Sequence, residues 1–388
     1  MLSDKSRTIV ETTLPLIGER LTDITTRFYE QMFAAHPEML DGLFSRSTQR
    51  NGHQQQAVAG SIVAFASHLV SNPGTLPEAV LLRIGHKHAS LNITEDQYPI
   101  VYQYLFAAIA DELSDVLTED IADAWSEVYW LMAHALIKIE KGLYAQAASG
   151  QPWAPWVLVA KRPAGTGSMT FTFEPADGTP VSPARPGQFL SVKVRMPDGF
   201  QQIRQYSLHA DFNTARRVFT SKIDTDGEVS PVLHGSVQVG TVLELSNPYG
   251  DVSLGADDHL LILASAGIGC TATAAILRSH AERDSNREIL VLHAEHAMGN
   301  WALKDQMCAD IEKMSSARLQ LWLERREMGS NRGRMTLEGL DITADAWVYL
   351  CGPLPFMKSI HAQAMACGIP AERIHYEVFG PDVWLASA

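Results

Sequence analysis

The hydrophobic period of this chain changes twice, and no single fold accommodates three periods. Up to about residue 148, apolar residues recur at three and four: Ile9, Leu14, Leu16, Ile17, Leu21, Ile24, Phe28, Met32 and Phe33. A second run carries Ala57, Ile62, Val63, Phe65, Ala66 and Leu69, and others extend from Tyr98 to Leu117 and from Ile121 to Tyr144. This is helical spacing. Breaks at Pro37, at Asn72-Pro73-Gly74 and at Asn92 cut it into a bundle. Small residues and prolines from Ala147 to Trp156 then make a linker. Short alternating segments follow at Trp156–Ala160, Met169–Phe173 and Gln188–Val194, separated by Gly, Pro and Asp turns. They predict an antiparallel β-barrel ending near Gly255. From His259 strands alternate with helices: Leu260–Ala264, a helix from Thr271, Ile289–His293, a helix from Leu303, Leu319–Leu323, Trp347–Leu350, a helix from Pro355 and Ile374–Tyr376. Such alternation predicts a parallel, doubly wound α/β sheet. The expected domains are 1–148, 152–256 and 257–388.

Composition narrows the function classes. At 46% hydrophobic and 19% charged residues, the chain supports real cores. A net charge of −13 without a Lys/Arg run argues against nucleic acid and anionic membranes as partners. Cys270, Cys308, Cys351 and Cys367 lie far apart, which suits neither a disulfide framework nor a zinc site and fits a reducing compartment. The start, Met1 to Lys5, runs into helical pattern without a signal-type apolar core, and the best apolar run, Leu260–Ala266, is strand-sized. A cytoplasmic protein without membrane insertion is expected.

Chemistry-bearing residues sit in each segment. The helical segment Pro77–Leu91 carries His86 and His88, two apart. On a helix they point in different directions and cannot share one metal, but either suits a lone axial ligand. Arg204-Gln205-Tyr206-Ser207 puts a phosphate-pairing arginine, a stacking ring and a hydroxyl on one strand edge. In Gly227-Glu228-Val229-Ser230-Pro231, Ser230 reads as an N-cap and Pro231 as a first helical residue, leaving free amides for a pyrophosphate. Gly267-Ile268-Gly269-Cys270-Thr271 follows a strand and opens a helix, so backbone can approach a dinucleotide phosphate. Cys351-Gly352-Pro353 ends a later strand of the same sheet, and Glu377-Val378-Phe379 follows the last one. Taken singly, each has an ordinary structural explanation.

Taken in order, R-x-Y-S, G-x-x-S, G-x-G-x-T and C-G-P resemble the ferredoxin-reductase-like superfamily over about residues 152–388. The helical part resembles the globin domain of flavohemoglobins through Tyr29, Phe44, Gln54, Val58, Lys87, His88, Tyr98 and Glu140. The whole chain is therefore similar to a flavohemoglobin, a nitric oxide dioxygenase. The resemblance implies an all-α globin domain holding haem b, an antiparallel barrel holding FAD and an α/β domain holding NADH or NADPH.

The roles it implies are these. His88 is the iron ligand, with Tyr98 and Glu140 behind it making the imidazole more basic. Tyr29 and Gln54 are distal donors to O2. Phe44 packs on the porphyrin, Val58 narrows the pocket and Lys87 faces the flavin domain. His53 and His86 gain nothing from the resemblance and read as surface or pocket-rim residues, His53 being a runner-up for the distal position as the neighbour of Gln54. Arg204, Tyr206, Ser207, Val229 and Ser230 hold FAD. Gly267, Gly269, Thr271, Cys351, Gly352 and Pro353 hold the nicotinamide nucleotide, and Glu377 and Phe379 belong to the cofactor sites. One departure is Ala272, where the family usually has proline, which makes a less rigid helix start. The implied activity is that NAD(P)H reduces FAD, FAD reduces haem iron, and NO and O2 become nitrate, in a monomer. An oxygen-binding or sensing globin with its reductase, and a general flavin reductase of quinones or peroxides, are the other readings. Glu324-Arg325-Arg326 leaves the choice between NADH and NADPH open.

Overall fold

The computed structural model describes residues 1–41, 52–212, 215–252, 257–283, 285–325 and 329–380. The chain divides into two compact units, one led by residues 1–152 and the other by 153–192 and 204–379.

The first unit is helical. Helix α1 (Asp4–Ala35) begins where the Ser3 hydroxyl accepts the Ser6 amide at 3.3 Å. It runs unbroken for 32 residues with Pro15 inside it. The resemblance to the globin domain implies that Phe28 and Tyr29 fall in a second helix; they lie on this first one. Pro37 opens a 3-10 turn, Pro37–Leu40. Helices α2 (His53–Ser71), α3 (Glu78–Leu91), α4 (Gln97–Glu112) and α5 (Glu119–Ala145) complete the unit among the described residues. The expected spacing faces inward: Val10, Ile17, Leu21, Ile24 and Phe28 of α1 share a core with Phe65, Ala66 and Leu69 of α2 and Val128 and Leu136 of α5. Helix α3 stops at Asn92, which adopts a left-handed φ of 61° while the Ile93 amide closes on the His88 carbonyl at 3.0 Å.

The second unit holds a closed barrel of β1 (Trp153–Gly165), β2 (Ser168–Pro175), β3 (Phe189–Arg195), β4 (Gln201–Ala210), β5 (Arg217–Lys222) and β6 (Val242–Ser246), in the order β1-β2-β5-β4-β3-β6. Its interior is aromatic, with Phe219 stacked at 5.4 Å from Phe171 and 5.7 Å from Phe173. A short helix, α6 (Val229–Gly235), sits between β5 and β6.

The sheet that follows has the order β10-β9-β8-β7-β11-β12. Its strands are β7 (Leu261–Ala266), β8 (Ile289–Glu295), β9 (Ala317–Leu323), β10 (Asn331–Arg332), β11 (Trp347–Cys351) and β12 (Ile374–Glu377), and every pairing is parallel. Helices α7 (Cys270–Glu282), α8 (Lys304–Glu312) and α9 (Leu354–Ala366) connect them. Central β7 opens with an unbroken apolar run because helices cover both faces of such a sheet: Leu261, Ile262 and Leu263 are fully buried. The chain leaves β7 toward β8 on one side, while β11 lies on the other. The carboxyl ends of β7 and β11 therefore flank the crevice where doubly wound sheets take ligands.

Candidate functional sites

In the helical unit three elements bring three side chains together. His88 lies in the last turn of α3, Tyr98 in the first turn of α4 and Glu140 near the end of α5. His88 Nδ1 is 2.8 Å from Glu140 Oε1 and 3.2 Å from the Tyr98 hydroxyl, which donates to the same Oε1 at 2.6 Å. Glu140 is buried, so its carboxylate is held by these two partners rather than by water. A carboxylate accepting from Nδ1 fixes the proton there and leaves Nε2 as the nitrogen with a free lone pair. Nε2 engages none of the described residues, and the ring stays partly exposed. Burial and the Glu140 charge push the Tyr98 phenol up, so it remains a donor.

Gly85 permits this closeness. A Cβ there would stand 2.6 Å from Ile139 Cγ2, so α3 and α5 meet at a spot only a glycine fits.

Across the same unit, Gln54 Nε2 donates to the buried Tyr29 hydroxyl at 3.4 Å. Burial raises the Tyr29 phenol well above its ordinary value, which keeps its proton. Val58 packs against the core on the same helix as Gln54. Lys87 turns its Nζ to the Gly380 carbonyl, within this unit. Phe44, Asn51 and Arg326 lie outside the described residues, as does the side chain of His53.

In the second unit Arg204, Tyr206 and Ser207 lie on β4 as expected. One face of the Tyr206 ring is taken by Phe219, stacked at 4.5 Å, and burial pushes its phenol up to about 12. Ser230 corrects an expectation. It is the second residue of α6, not its cap; Glu228 holds the cap position and makes no side-chain capping bond. The Ser230 hydroxyl instead accepts the Asp224 amide at 2.9 Å and donates to the Asp224 carbonyl at 3.3 Å, tying down the preceding turn. Val229, the first residue of α6, is buried.

The glycine turn after β7 has the geometry its sequence requires. Gly267 has a left-handed φ of 56°. A Cβ at Gly269 would stand 2.3 Å from the Cys351 carbonyl oxygen, and one at Gly352 would meet Phe356 at 2.9 Å and Ala266 at 3.1 Å. The two strand ends thus touch through glycines, leaving a backbone cradle that side chains would fill. Thr271 spends its hydroxyl on the Ile268 carbonyl at 3.0 Å. Cys351 is buried beside Glu377, its register partner on β12, and burial first, then these neighbours, raises its thiol. Pro353 immediately precedes α9. Phe379 is half exposed and meets Phe189 edge-on at 6.2 Å.

Two residues escaped the sequence reading. Glu295 ends β8 beside the glycine turn, with Lys222 Nζ at 3.8 Å. The available signal was an acid at the end of the strand after the glycine-turn helix.

Comparison with known proteins follows the same division. The globin family model matches residues 26–136. A flavohemoprotein of Rhizobium meliloti is 36% identical, with 99% of this chain and all of the relative aligned. The crystal structure of a flavohemoglobin from Malassezia yamatoensis with bound FAD and haem superposes with a TM-score of 0.93 at 39% identity, over 98% of this chain and all of that one. The FAD/NAD-binding domain of a nitric oxide dioxygenase from Vibrio cholerae covers 60% of this chain, and all of its own, at 30% identity and a TM-score of 0.56.

Proposed function

The chain belongs to the flavohemoprotein family, and from that premise we propose that it is a nitric oxide dioxygenase that spends NAD(P)H and O2 to turn NO into nitrate. The observation that carries this is the His88–Tyr98–Glu140 triangle in the unit matched by the globin model.

The residues fit the groups this activity needs. His88 presents one unengaged nitrogen backed by a carboxylate, the donor set for a haem iron rather than for a multi-ligand metal site. Among the described residues no cluster of three or more His, Cys, Asp or Glu offers an alternative metal site. When bound, haem supplies a redox iron and FAD splits a two-electron hydride donor into one-electron steps.

The chain's own work is positional and electrostatic. Glu140 and Tyr98 hold the His88 ring in one tautomer and strengthen its Nε2 as a donor. Tyr29 and Gln54 would supply a protonated hydroxyl and an amide as hydrogen-bond donors on the other side of the haem site. Arg204 and Ser207 on β4 serve the flavin's phosphate and polar edge. The Gly267–Gly269 turn and Cys351-Gly352-Pro353 let the nicotinamide nucleotide lie on bare backbone at the strand ends. This division assigns the globin role to about residues 1–148, flavin binding to 152–256 and nucleotide binding to 257–388.

The test is direct. The purified, haem- and flavin-replete protein should show both absorption signatures. With NAD(P)H and O2 it should consume NO and release one nitrate per NO. His88→Ala should lose haem and NO consumption while keeping flavin reduction. A protein that binds both groups but turns NO over no faster than free haem does would sink the proposal.

A further inference from the structure

A band of aromatic rings runs outward from the proximal triangle of the helical unit. Tyr98 and Tyr102 stand one turn apart on α4 and so share a face. From α5, the Tyr129 hydroxyl donates to the Tyr98 carbonyl at 2.7 Å. The Tyr129 ring lies 5.3 Å from the rings of both Tyr102 and Trp130, and those two are also 5.3 Å apart. The His134 ring follows Trp130 at 5.6 Å. Tyr98 is buried, Tyr102, Tyr129 and Trp130 are half-buried, and His134 is exposed, so the band opens to solvent as it leaves the triangle. Its inner end touches the proposed iron ligand, with the Tyr98 hydroxyl 3.2 Å from His88 Nδ1.

Packing α4 on α5 needs only apolar bulk, which Phe, Leu or Ile would supply. Three phenols and an indole in one band add a second property, because Tyr and Trp give up an electron far more readily than those side chains do. Oxidised phenols and indoles also shed a proton. Tyr102 has the Ser126 hydroxyl at 3.0 Å to relay one, and the indole of Trp130 has an imidazole and solvent beside it.

We propose that Tyr98, Tyr102, Tyr129 and Trp130 are an electron relay serving the haem site: oxidising equivalents left there by hydrogen peroxide are carried to the surface at Trp130 and quenched by a thiol in solution. This inference rests on the reading that His88 holds haem iron.

The step balances. The peroxide O–O bond breaks and two O–H bonds form, so one peroxide takes up two electrons and two protons and leaves as two waters. Each electron is drawn along the rings, and its proton comes from a phenol O–H or the indole N–H, which leaves a neutral radical. Two thiols return two hydrogen atoms and pair as a disulfide. In net, one peroxide and two thiols become two waters and one disulfide.

The experiment uses full-length, flavin- and haem-replete ferric protein without NAD(P)H. The variants are Trp130→Phe, Trp130→Phe with Tyr102→Phe, and Tyr104→Phe. Tyr104 is a half-buried tyrosine of the same helix whose ring packs on His36 at 5.6 Å, and it serves as the control. Hydrogen peroxide is added without thiol. Freeze-quench electron paramagnetic resonance reads protein radicals, and a nitroso spin trap with peptide mass spectrometry places them.

The wild type should give an aromatic radical trapped at Trp130, and a thiol added with the peroxide should suppress it. Trp130→Phe should move the adduct to Tyr102. The double variant should lose both adducts and bleach its haem faster, while Tyr104→Phe should match the wild type. Trp130→Phe alone carries the test should the double variant fail to fold. If the trap lands on Tyr104 or on no residue of the band, or if Trp130→Phe and the double variant label and bleach as the wild type does, this inference falls and the functional reading stands. If the protein holds no haem, both fall.

Discussion

Gly85→Ala is the substitution that tests how the proximal triangle is built. The new Cβ would stand 2.6 Å from Ile139 Cγ2 and 3.3 Å from its Cβ. Carbon atoms pack at about 3.5–4.0 Å, so α3 and α5 must part locally by about 1 Å. His88 lies one turn beyond Gly85, and Glu140 directly follows Ile139. The same parting therefore stretches the 2.8 Å His88–Glu140 bond toward the roughly 3.5 Å limit of a hydrogen bond. Overpacking costs about 1–3 kcal/mol, and removing a helical glycine returns about 1 kcal/mol. Weakening a bond to a charged group adds about 1.5 kcal/mol. The net loss is about 2 kcal/mol, or a fall of about 5 °C in the melting temperature of a unit this size. Thermal melts followed by circular dichroism measure the first effect. Resonance Raman of the haem-loaded ferrous protein measures the second, as a lower iron–histidine stretching frequency. Adding Ile139→Ala should restore both. A Gly85→Ala protein that melts higher, as helix propensity alone dictates, with an unmoved stretching band would refute the account.

Three further outcomes follow from the second unit. Gly269→Ala places a Cβ 2.3 Å from the Cys351 carbonyl, so it should weaken NAD+ binding at least tenfold in calorimetry while flavin content stays at the wild-type level. Burial raises the thiols of Cys270 and Cys351, so a thiol reagent at neutral pH should label exposed Cys367 first and those two only on unfolding, as read by mass spectrometry. Burial also lowers His209 and His293 to about 3 from an ordinary 6.5, so each stays neutral when folded. The unfolded chain then takes up the protons first: stability is full above about pH 6.5 and drains away as pH falls toward 3, by about 2 kcal/mol per histidine at pH 5. Urea titrations of wild type, His209→Gln and His293→Gln at pH 7 and 5 should show that loss shrinking in each variant.

What the sequence made legible was whatever depends on near neighbours. The change from helical to alternating to strand-helix spacing set the three architectures, because burial of one face dictates period locally. Gly267 and Gly269 announced a tight strand-to-helix turn for the same reason. The failures have a common cause in contacts between residues far apart in sequence. Nothing near Ser230 says that its hydroxyl is better used on Asp224 than as a cap. Nothing near Phe28 breaks α1, because Pro15 forfeits one amide bond while the apolar stripe from Val10 to Met32 still seats the helix on its core.

Gly85 is the most instructive case. In sequence it is a weak point in a helix, yet in the fold it is the contact that lets α3 approach Ile139 and brings His88 to Glu140. Choosing His88 over His86 from the sequence required family resemblance. In the fold the buried Glu140 carboxylate stands against the His88 ring, the second partner that a lone axial imidazole calls for.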